Sequence, residues 1–198
     1  GADNHNIAHA VPHDLQLIFF PAQHRFFQHH LGDKACIQPA FGHDGKLFGV
    51  VGHPATGAAQ GLAFAAEVAV LPISTLAAIA LKAAREYQVE RIVSTLDARM
   101  NELYSCAYQM RDGLPVALVN ETVSAPENII LPDGDRWFAA GKGWVYLDNM
   151  SAEVQQAVGT PVLDIYPSAG VMCELALQAF DRGEGISAEL AQPVYLRD

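Results

Sequence analysis

Basic residues are scarce in this chain. Only 12 of the 198 residues are Lys or Arg, against 22 Asp and Glu, for a net charge of −10. A face that binds nucleic acid directly needs clustered Lys and Arg to displace counterions from the phosphates, and here they are scattered. Any role on RNA is therefore expected to run through a more basic partner. Cysteine is scarcer still: Cys36, Cys106 and Cys173 are odd in number and far apart. That spacing argues against a disulfide framework or a zinc site built on close Cys pairs, and fits the reduced thiols of a cytoplasmic protein. No apolar run reaches the roughly 18 residues of a membrane span. The opening Gly-Ala-Asp-Asn-His-Asn lacks the basic-then-apolar order of a secretion signal. Histidine is missing beyond His53 and methionine before Met100, so the chain divides into two compositional halves.

What is present is globular in composition: 51% hydrophobic and 17% charged, enough for one large domain or two small lobes. Residues 1–54 show no clean amphipathic period. Leu15 to Phe20 suggests a strand, Gln23 to Leu31 a short helix, and His43-Asp44-Gly45-Lys46 a hairpin turn. From Thr56 the pattern is orderly. A small-residue helix is expected over Gly57 to Glu67, a strand over Val68 to Pro72, and a helix over Thr75 to Tyr87 capped by Ser74. Arg91 to Met110 reads as two strands joined by the polar turn Asp97–Asn101, an antiparallel hairpin. Asp112-Gly113 then turns into a third strand, Val116 to Ser124. A fourth strand is expected at Trp137 to Gly141, and helices over Ser151 to Val158 and Pro167 to Arg182. Gln192 to Arg197 reads as extended. Three antiparallel strands followed by strand–helix alternation predict a mixed α/β sheet of the ribonuclease-H-like kind.

Each candidate site has a plain structural rival. His5, His9 and His13 recur every four residues, a spacing that can hold zinc or nickel on a helix. The segment is terminal and interrupted by Pro12, so a frayed tail is the expectation and no metal site is assigned. Asp97, Arg99 and Glu102 can order the hairpin, contact a partner, or serve as acid and anion clamp. No glycine-rich phosphate loop and no second strand-end Asp accompany them, which favours the ordering role. Gly141-Lys142-Gly143 resembles a fragment of a phosphate loop, but Trp144 stands where Ser or Thr is needed, so a tight turn is expected. Gly57 and Gly61, four apart in an Ala-rich helix, allow either close core packing or a helix–helix interface, and core packing is the default. Ser168 and Cys173 lie near a helix start without a histidine after His53 to activate them, so no catalytic residue and no cofactor is assigned.

Five segments carry a family resemblance: Ala59-Gln60-Gly61-Leu62-Ala63, Ile73-Ser74-Thr75-Leu76, Asp97-Ala98-Arg99-Met100-x-Glu102-Leu103-Tyr104, Ala140-Gly141-x-Gly143-Trp144 and Gln192-Pro193-Val194-Tyr195-Leu196-Arg197. Their order and spacing over residues ~55–198 resemble the TsaB (YeaZ) family of bacterial factors in threonylcarbamoyladenosine (t6A) synthesis on tRNA. The resemblance implies an actin-like (ASKHA) fold of two ribonuclease-H-like lobes with mixed sheets. The expected division is an incomplete first lobe at residues 1–90 and a second lobe at 91–198, with the C-terminal tail returning to the first. Residues 1–54 do not match: the family's opening strand ending in Asp-Thr-Ala-Thr and its Gly-Arg-Gly-Pro-Gly-Ser-Phe-Thr-Gly loop are missing. The first lobe is thus expected to be truncated, rearranged or read from a different frame. The resemblance further implies a non-catalytic scaffold that pairs with a TsaD-like subunit, with a TsaE-like ATPase as a further partner, a homodimer, and only indirect contact with tRNA. Gly57, Gln60, Gly61 and Phe64 are the residues assigned to partner binding on that basis. The alternative is an enzyme, either a metal-dependent hydrolase using the N-terminal histidines or a glycoprotease-like peptidase.

Overall fold

The computed structural model describes residues 59–132 and 136–191 in full. It also describes the backbone of four short strands ahead of residue 52 and of the helix that begins at His53. In chain order these elements are β1 (Gln16–Phe19), β2 (Ala40–Gly42), β3 (Gly45–Leu47), β4 (Gly49–Val51), α1 (His53–Ala66), β5 (Val70–Ile73) and α2 (Thr75–Tyr87). They are followed by β6 (Arg91–Arg99), β7 (Glu102–Arg111), β8 (Leu114–Ala117), β9 (Thr122–Ser124), β10 (Phe138–Ala140), α3 (Ala152–Ala157) and α4 (Ala169–Asp181). The expected elements at Gln23–Leu31 and Gln192–Arg197, and the histidines His5, His9 and His13, lie outside the described residues.

The larger sheet runs β10-β6-β7-β8, with β9 pairing the same edge of β7 as β8. β6, β7 and β8 are antiparallel, and β10 runs parallel to β6 with Ala139 opposite Val93, so the sheet is mixed as expected. The single third strand expected at Val116 to Ser124 is instead two strands separated by a gap at residues 118–121. In that gap the Leu118 N–H donates to Ala107 O at 2.9 Å, and the Cys106 thiol donates to Val119 O at 3.4 Å. The chain therefore leaves the ladder register where Asn120 and Glu121, poor strand residues, occur. A smaller antiparallel sheet runs β4-β1-β5, and β2 pairs with β3 so that Gly42 faces Gly45.

α2 lies between the two larger sheets. Ser74 caps it by accepting the Ala77 N–H at 3.2 Å, and Gln88 ends it in a left-handed conformation. Leu76, Ile79, Ala80 and Ala83 pack with Ile92, Cys106, Tyr108 and Ala140 of the mixed sheet. Ala78, on the other side of the helix, packs with Leu71 and Ile73 of β5 and with Met172, Ala176 and Ala179 of α4. The opposite face of the mixed sheet is covered by Trp137, Trp144, Met150, Val154 and Val158. The Trp144 indole donates to Val93 O at 3.1 Å, which satisfies a buried polar group at the price of one aligned contact.

Candidate partner-binding face

The Ala-rich composition of α1 gives it a thin inner face. Ala59 and Ala63, one turn apart, are fully buried against Val70, Ala188 and Ala191. Short side chains let the helix lie close to β5 and to the 3-10 turn Ala188–Leu190. The outer face is different in kind: Leu62 is 40% exposed and Phe64 67% exposed, and Gly61 has nothing within 4 Å of where a Cβ would sit. Gln60, Gly61 and Phe64 line a shallow groove of about 230 Å³ together with Ala188 and Glu189. Leu190, on the same 3-10 turn, is 71% exposed. Three of the four residues assigned to partner binding thus fall on one outward surface. Gly57 lies on the same helix, its surroundings outside the described residues. The default of core packing does not hold for Gly61, which is exposed and has nothing within 4 Å of a Cβ position.

At the hairpin, the Asp97 carboxylate accepts the main-chain N–H of Arg99 at 2.8 Å. Asp97 therefore orders the turn through the backbone. Arg99, Met100 and Asn101 follow with φ of 63°, 54° and 59°, and the register shifts between Asp97 and Arg99 before Arg99 pairs with Glu102. Asp97 and Arg99 are exposed, and Met100 at the tip is 80% exposed. The three residues are thus brought together at a solvent-facing strand end.

Gly141-Lys142-Gly143 is neither a phosphate loop nor a free turn. Gly141 has φ of 103°, and a Cβ there would lie 2.2 Å from Thr95 O; at Gly143 it would lie 2.8 Å from Thr95 Cβ. Both glycines are needed for this segment to press on β6 before the 3-10 helix Lys142–Asn149. Ser168 is the cap of α4, accepting the Val171 N–H at 3.4 Å. Burial raises the Cys173 thiol, so it holds its proton. Among the described residues no three His, Cys, Asp or Glu come together in a way that would hold a metal, and no helix is long and apolar enough to cross a membrane.

One polar cluster has no counterpart in the sequence reading. Glu121 Oε1 receives hydrogen bonds from the Tyr108 hydroxyl at 2.7 Å and from Ser74 Oγ. Burial pushes the Glu121 carboxyl above its ordinary value, against these two bonds, which favour the charged form. The same burial drives the Tyr108 phenol well up and the Cys106 thiol up to about 12. The signal available in the sequence was a lone Glu in a segment otherwise read as strand.

The family model described as TsaD, tRNA N6-adenosine threonylcarbamoyltransferase, matches residues 53–181. The tRNA threonylcarbamoyladenosine biosynthesis protein TsaB of Haemophilus influenzae is 33% identical in an alignment 156 residues long that covers 72% of this chain and 62% of that protein. TsaB of Escherichia coli is 32% identical over 146 residues, 72% of this chain and 63% of that protein. The chain belongs to the TsaB/YeaZ family. Among solved structures, YeaZ from Pseudomonas aeruginosa is similar with a TM-score of 0.64 and 41% identity, over 72% of this chain and 65% of that one. A second Pseudomonas aeruginosa structure, described as an uncharacterized protein with similarity to peptidase YEAZ, gives a TM-score of 0.65 at 41% identity, over 72% of this chain and 66% of that one. These neighbours agree with the actin-like fold and mixed sheet expected of the TsaB/YeaZ family. The chain spans a little over three fifths of the length of its curated TsaB relatives.

Proposed function

We propose that this chain is a non-catalytic scaffold that pairs with a TsaD-like subunit and supports t6A modification of tRNA. The observation that carries this reading is the outward face of α1, where Gly61 is open and Leu62 and Phe64 stand exposed beside the groove at Ala188 and Glu189. Apolar area of this kind, on a helix whose small residues allow close backbone approach, suits docking against another helix. Membership of the TsaB/YeaZ family supplies the process, since the curated relatives are named as t6A biosynthesis proteins. A net charge of −10 supports indirect engagement of tRNA, through the partner rather than this surface. The working unit we infer acts in the cytoplasm as two lobes, 1–90 and 91–198, with a homodimer as the resting form and a TsaE-like ATPase as the third component. Asp97, Arg99 and Glu102, with Met100 at the tip, are a second contact point within that assembly.

The test is co-purification of tagged chain with the TsaD-like protein of the same organism, followed by assay of t6A formation with and without this chain. Retention of the partner and dependence of t6A on its presence are the expected results. A t6A yield indifferent to the chain, with no retained partner, overturns the reading.

A further inference from the structure

Glu121 lies where the mixed sheet changes partner. β8 pairs with β7 at residues 108–111 and β9 pairs with it at 103–105, and Glu121 closes the gap between them. Its side chain reaches back to Tyr108 on β7 and to Ser74. Ser74 at the same time caps α2, the helix that packs on the mixed sheet with one face and on β5 and α4 with another. One carboxyl therefore joins the discontinuity in the sheet to the start of the helix shared by both cores.

The two carboxyl oxygens are unequal. Oε1 takes both hydrogen bonds, while Oε2 is sealed from solvent with no hydrogen-bond partner. An ionised carboxylate would leave half its charge on that oxygen without a donor, whereas a neutral carboxyl leaves there only an O–H without an acceptor, the smaller cost of the two. We propose that Ser74, Glu121 and Tyr108 form a proton-operated latch: neutral Glu121 holds residues 118–121 against the start of α2, and ionisation loosens them.

The groups that face Glu121 leave it as the one that titrates. From β7 these are the Tyr108 phenol and the Cys106 thiol, both held neutral by burial. From α2 it is the cap Ser74, an uncharged hydroxyl, with the positive end of the helix dipole behind it. From the gap itself the neighbours are Asn120 and Thr122, also uncharged. The dipole and the two hydrogen bonds favour the charged form, and burial, the larger effect, favours the neutral one. A carboxyl raised in the folded state contributes stability that is full below its unfolded value. That stability is lost as the pH climbs through the folded value, and the loss then levels off.

The experiment compares the full chain with Glu121→Gln, which keeps the Oε1 acceptor and cannot ionise. Melting temperature is followed from about pH 5 to about pH 8, alongside hydrogen exchange of the Leu118 amide, which reports the gap directly. The expected result is that the parent loses melting temperature relative to the variant as the pH rises. At the high end its Leu118 amide should exchange roughly tenfold faster than the variant's at the same pH. Tyr108→Phe removes a donor that favours the charged form, so it should move the parent's loss to higher pH, a displacement that a merely structural hydroxyl would not produce. Parallel melting profiles for parent and Gln variant overturn the latch. If the Gln variant does not fold, a Tyr108→Phe profile superimposable on the parent's overturns it instead.

Discussion

A methyl group added at Gly141 would collide with the Thr95 carbonyl oxygen, on a backbone whose φ of 103° already disfavours any side chain. A residue forced into such a region costs about 1–3 kcal/mol before any clash. Gly141→Ala is therefore expected to lower the unfolding free energy by at least about 3 kcal/mol, with a matching drop in the denaturant midpoint. Gly61 is the opposite case, in mid-helix with nothing within 4 Å. Gly61→Ala should raise stability by about 0.5–1 kcal/mol, because alanine loses less backbone entropy in a helix. The two glycines look alike in the sequence. What separates them is distance to a strand far away in the chain, and that is why Gly141-Lys142-Gly143 was legible only as a turn while its role against Thr95 was not.

At the scale of the element, legibility follows how local the determinants are. α2 runs over the expected Thr75–Tyr87 because its cap Ser74 and its apolar period lie within the same segment. The β6–β7 hairpin was likewise readable, although the turn tightened to Met100 and Asn101 with Arg99 also left-handed. The split between β8 and β9 was not, because the Glu121 carboxyl that sits in it finds its partners 13 and 47 positions away. The face that α2 shows to α4 was missed for the same reason: alanine at 78 carries no pattern of its own. Since both faces are packed, substitutions on either should fail by different routes. Ile79→Ala, fully buried on the mixed-sheet side, is expected to cost about 2–5 kcal/mol through the cavity it leaves. Ala78→Leu should cost about 1–3 kcal/mol by prising α2 from β5 and α4. Thermal melts of the two variants check both, and an unchanged melt for Ala78→Leu would mean that α4 is free to shift.

For the molecule as a whole, α1 offers a test that separates association from folding. Of the residues assigned to partner binding, Gln60, Gly61 and Phe64 share the outward face, whereas the inward face is completed by Ala59 and Ala63. A Cβ at Gly61 meets nothing within 4 Å, so a leucine there points along the exposed groove, leaves the buried contacts of Ala59 and Ala63 in place and gains helix propensity. Any loss of association must then come from the side of the partner, where the bulk would hold two helices apart. Apolar contact contributes on the order of 25 cal/mol per Å² of buried area, so separation over even about 60 Å² removes about 1.5 kcal/mol, roughly a tenfold loss of affinity. Phe64→Asp attacks the same contact by charge, placing a carboxylate where a 67% exposed ring stood, again without touching the buried face. Both variants are expected to retain the parent melting temperature or exceed it, while sedimentation shows a weakened homodimer and co-purification a weakened hold on the TsaD-like subunit. Association equal to the parent in both variants would remove α1 from the interface and shift attention to the exposed hairpin tip at Met100. A lowered melting temperature with association intact would return α1 to a purely internal role.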